Sequence, residues 1–164
     1  MNDYTCCFTG HRIIATRDRA ALIKDLRTTI ETLAGSGMRQ FICGGALGFD
    51  TMAAIEVLRL KEVYPDITLS LALPCRDQAA RWTAGQRKLY DEILQKADHV
   101  EYMFDNYVNG CMQMRNRYMV DHADVCVAYY NGRPGGTGGT VAYAKEKGVR
   151  LIFIPAKEET KWEI

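Results

Sequence analysis

The 164-residue chain has six cysteines but no C-x-x-C pair, and its histidines, His11, His99 and His122, do not stand at ligand spacing from them. The usual signatures of a structural zinc site or a redox pair are therefore missing, and no metal is expected. Several of the cysteines lie in or beside apolar runs, where a free thiol packs as a small hydrophobe. The expectation is a set of free thiols in a reducing, cytoplasmic setting. No apolar stretch approaches the roughly 18 residues that a bilayer span needs, and the opening MNDYTCCFTG has no signal-peptide pattern, so no membrane association is expected. An excess of one charge is also lacking: 21 Lys and Arg face 20 Asp and Glu, a formal net charge of +1. That balance gives no overall attraction for nucleic acid or lipid, although it leaves a local basic patch open. Neither G-x-x-x-x-G-K-[ST] nor G-x-G-x-x-G occurs, which excludes a Walker-type NTPase and argues against an ordinary NAD site. Repeats, low-complexity segments and linkers are absent as well, so one domain over residues 1–155 is expected, followed by a charged tail, 156–164, in which Trp162 is available to dock.

What the chain does have is alternation. Short β-rich runs fall at 4–10, 41–45, 67–74, 99–104, 123–131 and 150–155, and several are apolar on consecutive residues. Consecutive burial suits strands covered on both faces of a parallel sheet. Between them lie helical patterns at 18–34, 50–62, 77–97, 110–122 and 140–147. In the first, Leu22, Leu26, Ile30 and Leu33 share a stripe that Gly35 ends. The order predicts a single three-layer α/β domain of Rossmann-like type with a mainly parallel sheet.

Glycine is concentrated at the ends of the strands. The first run gives F-T-G-H-R (8–12), the second C-G-G-A-L-G-F-D-T (43–51), and the fifth opens into P-G-G-T-G-G-T (134–140). In a parallel sheet these ends share one edge, where ligands bind. Helix N-termini bring unpaired N–H groups and the positive end of a dipole to the same edge, which favours an anion such as phosphate. Any one of these loops could be only a tight turn; together they point to a shared anionic or nucleotide ligand held by the backbones of Gly10, Gly44, Gly45, Gly135, Gly136, Thr137 and Gly138. Arg12 either contacts phosphate or is an exposed arginine leading into a helix. His11 is either an acid–base group or a hydrogen-bonding loop residue. Asp50 either caps the second helix or holds a ribose. Trp82 either stacks on a base or belongs to the core.

The fourth helix adds polar residues to an apolar face. Met112, Met119 and Ala123 line up, with Asn116 at the centre of the stripe and Arg115 beside it. Such groups need partners. Either Arg115 pairs with Asp121 or Asp124, or Asn116 ties down a loop, or both residues reach the ligand edge. Arg117 projects elsewhere unless the start of the helix turns it toward the site.

G-G-A-L-G-F-D-T-M-A-A, then R-N-R-Y-M-V-D-H-A-D, then P-G-G-T-G-G-T after a strand, resembles the SLOG superfamily. This Rossmann-like group contains the DNA-processing protein DprA and the LOG-type cytokinin-activating phosphoribohydrolases. F-T-G-H-R and L-P-C-R-D-Q-A-A-R-W resemble its small, uncharacterised bacterial YpsA-like branch, and the likeness spans roughly residues 4–155. The resemblance implies a nucleotide-derived ligand. By the same resemblance, Gly44, Gly45, Gly48 and Asp50 match a DprA element, Arg115, Asn116 and Arg117 match its R-N-R, and Thr140 and Arg115 match LOG positions. The catalytic glutamate that follows the LOG threonine is missing: Val141, Ala142 and Tyr143 stand there, and Glu146 lies about one and a half turns further on.

These readings converge on binding of a nucleotide or nucleotide-derived metabolite, with a sensor or signalling role. The alternatives are a phosphoribohydrolase using Asp50 or His11 in place of the missing acid, with Arg115 as the assisting catalytic candidate, and a DprA-like single-stranded nucleic-acid binder. SLOG relatives imply a possible homodimer. No cofactor beyond the nucleotide-type ligand is expected.

Overall fold

β1 (Thr5–Gly10) carries Cys6 and Phe8 to one side of a sheet and Cys7 to the other, and all three side chains are buried. This is the physical meaning of the consecutive apolar run: the strand is covered on both faces. The computed structural model describes residues 4–155; the expected tail 156–164, including Trp162, lies outside the described residues. The remaining strands are β2 (Gln40–Cys43), β3 (Thr68–Cys75), β4 (His99–Phe104), β5 (Val125–Tyr130) and β6 (Arg150–Pro155). They form one sheet in the order β4-β3-β2-β1-β5-β6, with every pairing parallel.

The helices are α1 (Arg19–Gly35), α2 (Phe49–Leu60), α3 (Ala84–Lys96), α4 (Cys111–Asp121) and α5 (Gly136–Lys147). α1, α2 and α3 cover the face that holds Phe8, Phe41 and Leu71. α4 and α5 cover the opposite face, where Cys7, Ile42 and Cys126 meet Met119, Val120 and Ala144. The fold is therefore a single three-layer Rossmann-like domain. The chain builds outward from β1 to β4, then crosses back to lay β5 on the other side of β1. The loops after β1 and β5 consequently diverge to opposite faces, which opens a crevice at the carboxyl edge between them.

Two helices differ from the sequence-based expectation. α3 begins at Ala84 rather than near 77, because Thr83 and Gln86 form a reciprocal capping box and 77–82 are turns. α5 begins at Gly136, four residues before the expected start. Its first intrahelical bond runs from Gly139 N–H to Gly135 O, at 2.9 Å. The weak helix propensity of Gly136, Gly138 and Gly139 hides that turn in the sequence.

Candidate functional site

Three strand-end loops are stapled together at the crevice. His11, just beyond β1, accepts a hydrogen bond at Nε2 from the backbone N–H of Asn131 after β5 (3.1 Å). Its own carbonyl accepts from the N–H of Phe49 at the start of α2 (3.0 Å). Burial lowers the imidazole pKa from its ordinary 6.5, which keeps the ring neutral and Nε2 available as an acceptor. Gly48 packs against this loop. It has φ +79°, and a Cβ there would fall 2.2 Å from Arg12 O, so only glycine lets the two backbones meet.

Asp50, in the first turn of α2, and Arg115, on α4, face each other across Gly44. A Cβ on Gly44 would lie 2.7 Å from Asp50 Oδ2 and 2.8 Å from Arg115 Nη1. Both side chains are almost fully buried, 7% and 3% exposed. Asp50 Oδ2 accepts from Ala46 N–H at 3.3 Å. Burial raises its pKa against the opposing pull of the Arg115 guanidinium and that N–H. Arg115 donates Nε–H to Asn116 Oδ1 (2.8 Å) and Nη1–H to the carbonyl of Gly44. Asn116 therefore orients the arginine. The two alternative partners are engaged elsewhere: Asp121 accepts from the Tyr143 hydroxyl, and Asp124 accepts from the N–H groups of Tyr4 and Thr5.

Between these loops lies a cleft of about 590 Å³. Phe8, Thr9, Gly10, His11 and Arg12 line it from β1, and Asp50 from α2. Met112, Gln113, Arg115, Asn116 and Arg117 line it from α4, and Arg133 to Thr140 with Tyr143 from the β5–α5 side. At the N-terminus of α5 the N–H groups of Gly136, Thr137 and Gly138 have no partner among the described residues, as a helix start without a side-chain cap leaves them. The Thr140 hydroxyl donates to Gly136 O at 2.9 Å and braces that turn. The charged side chains lining the cleft are Arg12, Arg115, Arg117, Arg133 and Asp50. A chain of near-neutral composition thus concentrates positive charge at one edge of its sheet.

The cleft brings together Gly10, His11, Arg12, Asp50, Arg115, Asn116, Gly135, Gly136, Thr137, Gly138 and Thr140. Gly44, Gly45 and Gly48 do not line it. They lack side chains because Asp50 with Arg115, Leu73 and the Arg12 backbone occupy the space beside them. Trp82 packs edge-on against Tyr90 (5.1 Å) and lines a separate apolar pocket of about 50 Å³ beneath α3. Arg117 lines the cleft, the alternative in which the start of α4 turns it toward the site, and Arg133, Gln113 and Tyr143 join the lining without having been candidates from sequence. Arg133 stands directly before P-G-G and was the one legible signal among them. Among the described residues, no cluster of three or more His, Cys, Asp or Glu could hold a metal ion, the six cysteines are buried and unbonded, and no helix is long and apolar enough to cross a membrane.

Fold and cleft together define a class: a parallel Rossmann-like domain with a cationic crevice at its topological switch point. Comparison with known proteins narrows this. A family model described as the YspA SLOG family (YpsA) matches residues 8–150, and the chain belongs to that family, the YpsA-like branch of the SLOG superfamily. The uncharacterized SPbeta prophage-derived protein YoqJ of Bacillus subtilis is 36% identical over 128 residues, 71% of this chain and 75% of YoqJ. A UPF0398 protein of Halalkalibacterium halodurans is 32% identical over 127 residues, 76% of this chain and 67% of its own. A solved structure of DNA processing protein A from Helicobacter pylori, described for its single-stranded DNA binding mode, superposes with a TM-score of 0.69 at 19% identity. It covers 94% of this chain, which in turn spans 66% of that longer protein. At that identity the likeness is one of fold.

Proposed function

We propose that the cleft binds a nucleotide or nucleotide-derived metabolite, with its anionic end at the N-terminus of α5. One observation carries this reading: Arg12, Arg115 and Arg133 line the same cleft as unpartnered backbone N–H groups, with Asp50 the opposing charge. A helix N-terminus and guanidinium forks are the standard protein solution for phosphate. The volume suits a ligand larger than phosphate alone. Asp50 and Asn116 hold the arginine that meets the anion, or reach a ribose beside it.

A sensor or signalling role fits better than catalysis. His11 Nε2 already accepts a backbone N–H, and Asp50 faces Arg115 from within a buried site, so neither stands ready as a general base. The buried, unbonded thiols support a reducing, cytoplasmic setting. The test is mass spectrometry of small molecules released from gently purified protein, followed by calorimetric titration with nucleoside mono-, di- and triphosphates. A co-purifying nucleotide, or saturable binding lost in Arg115→Met, is the expected result. Release of free base that disappears in Asp50→Ala would turn the reading to the hydrolase. A salt-dependent shift with single-stranded DNA and no mononucleotide binding would turn it to the DprA manner.

A further inference from the structure

Among the α5 residues that line the cleft, Gly136, Gly139, Thr140 and Tyr143 are spaced as one side of a helix. A Cβ on Gly136 or Gly139 would meet nothing within 4 Å. A bare backbone strip therefore runs from the N-terminus of the helix down to an aromatic ring. That ring is fixed in advance. The Tyr143 hydroxyl donates to Asp121 Oδ1 at 2.8 Å, and the Arg117 guanidinium carbon lies 5.1 Å from the ring centroid, with Lys147 Nζ at 5.5 Å. Both Arg117 and Tyr143 line the cleft. From Thr137 to Tyr143 the helix rises about 9 Å, comparable to the span from phosphate to base in a nucleotide.

We infer that the Arg117–Tyr143 pair is the stacking platform for the ligand's nucleobase, which makes Tyr143 a specificity-determining residue that selects nucleotides over bare sugar phosphates. The inference rests on the anion-binding reading above and adds the other end of the ligand. Guanidinium and aromatic planes stack on any base, since every base has a π-face. Tethering through Asp121 removes the ring's freedom before the ligand arrives, so less entropy is lost on binding. The platform favours a base without choosing among bases; the neighbouring Gln113 amide, which has no partner among the described residues, is placed to read the base edge.

The experiment titrates the full chain with ribose 5-phosphate and with AMP, GMP, CMP and UMP. Wild type should bind at least one nucleotide about tenfold or more tightly than ribose 5-phosphate. Tyr143→Ala should reduce that preference to about twofold while leaving the ribose 5-phosphate affinity within about twofold. Tyr143→Trp should preserve it, and Arg117→Met should weaken the preference independently. Circular dichroism confirms the fold of each variant. If ribose 5-phosphate binds as tightly as every nucleotide, or if Tyr143→Ala weakens both kinds of ligand equally, the stacking platform is wrong while the anion site stands. If neither kind of ligand binds, both readings fall.

Discussion

Replacing Arg115 with methionine tests the centre of the site, because it keeps the volume of the side chain and removes only its charge and donors. Asp50 would then be a buried carboxylate facing no cation, left with the Ala46 N–H at 3.3 Å. The two charges act on each other across Gly44 without a direct ion-pair contact, so the roughly 3–5 kcal/mol that a broken buried ion pair costs is the ceiling here. Even part of that is a sizeable share of the roughly 5–15 kcal/mol that holds a domain together, and it should lower the melting temperature by up to about 15 °C. The reciprocal change, Asp50→Asn, keeps an acceptor for Ala46 N–H but leaves the guanidinium buried beside Gly44 without its counter-charge. It should cost about 2–4 kcal/mol on the same reasoning. The double variant has neither charge. Its cost should fall below the sum of the single costs by about 1–2 kcal/mol, since opposite charges held across one glycine attract by up to about 3 kcal/mol at an effective dielectric near 20. Urea denaturation of all four proteins, read by circular dichroism and tryptophan fluorescence, supplies the cycle. If the single effects add to within about 0.5 kcal/mol, the two side chains do not act as a pair and the construction of the site across Gly44 is wrong. The cycle also separates fold from function: the coupling should appear in the stability of the double variant, while its affinity for an anionic ligand stays low because the Arg115 cation is gone.

Acidification should act through His11. Its folded pKa lies below the ordinary 6.5, so the unfolded chain takes up a proton first; stability should fall as pH drops from 6.5 through the folded pKa and then level off, and His11→Gln should flatten this part of a denaturation-versus-pH profile. Gly48→Ala should cost about 2 kcal/mol or more, since the methyl would meet Arg12 O at 2.2 Å with φ at +79°. Gly85→Ala, in the first turn of α3 with open space around it, should instead stabilise by about 0.4–1 kcal/mol; thermal melts that rank the two variants the other way would contradict the backbone described here. Thr83→Ala breaks the reciprocal cap of α3 and should cost about 1 kcal/mol in the same melts.

The strands were legible because burial on both faces writes itself as unbroken apolar sequence. β1 and β5 pair Cys7 with Cys126 and Phe8 with Val127, buried residues on both faces of the sheet, so apolar and polar positions do not alternate there. Arg115 was legible for the opposite reason: an arginine inside an apolar stripe must find partners, and Gly44, Asn116 and Asp50 surround it. The glycines were legible as a group but not individually. Gly44 and Gly48 are bare because protein atoms crowd them, whereas Gly136 and Gly139 face open space. Sequence cannot separate these cases, since each shows only a missing side chain. The start of α3 is written in T-A-G-Q, a capping box of four letters, which the expected helix over 77–97 runs through.

Tyr143 shows how one boundary governs what can be read. With α5 starting at 140, Tyr143 belongs to the first turn and its face is unassigned. With the start at Gly136, two turns separate it from the helix N-terminus, and Gly136, Gly139, Thr140 and Tyr143 fall on one side. The same shift bares the N–H groups of Gly136, Thr137 and Gly138 at the cleft rather than those following Thr140. Net charge misleads in a related way. A value of +1 averages over the whole surface, but a ligand meets only the field of the crevice, and the crevice is built where β1 and β5 part. Arg12, Arg115, Arg117 and Arg133 come from three chain segments that topology alone brings together. Their grouping is a property of the strand order, and composition carries no trace of it.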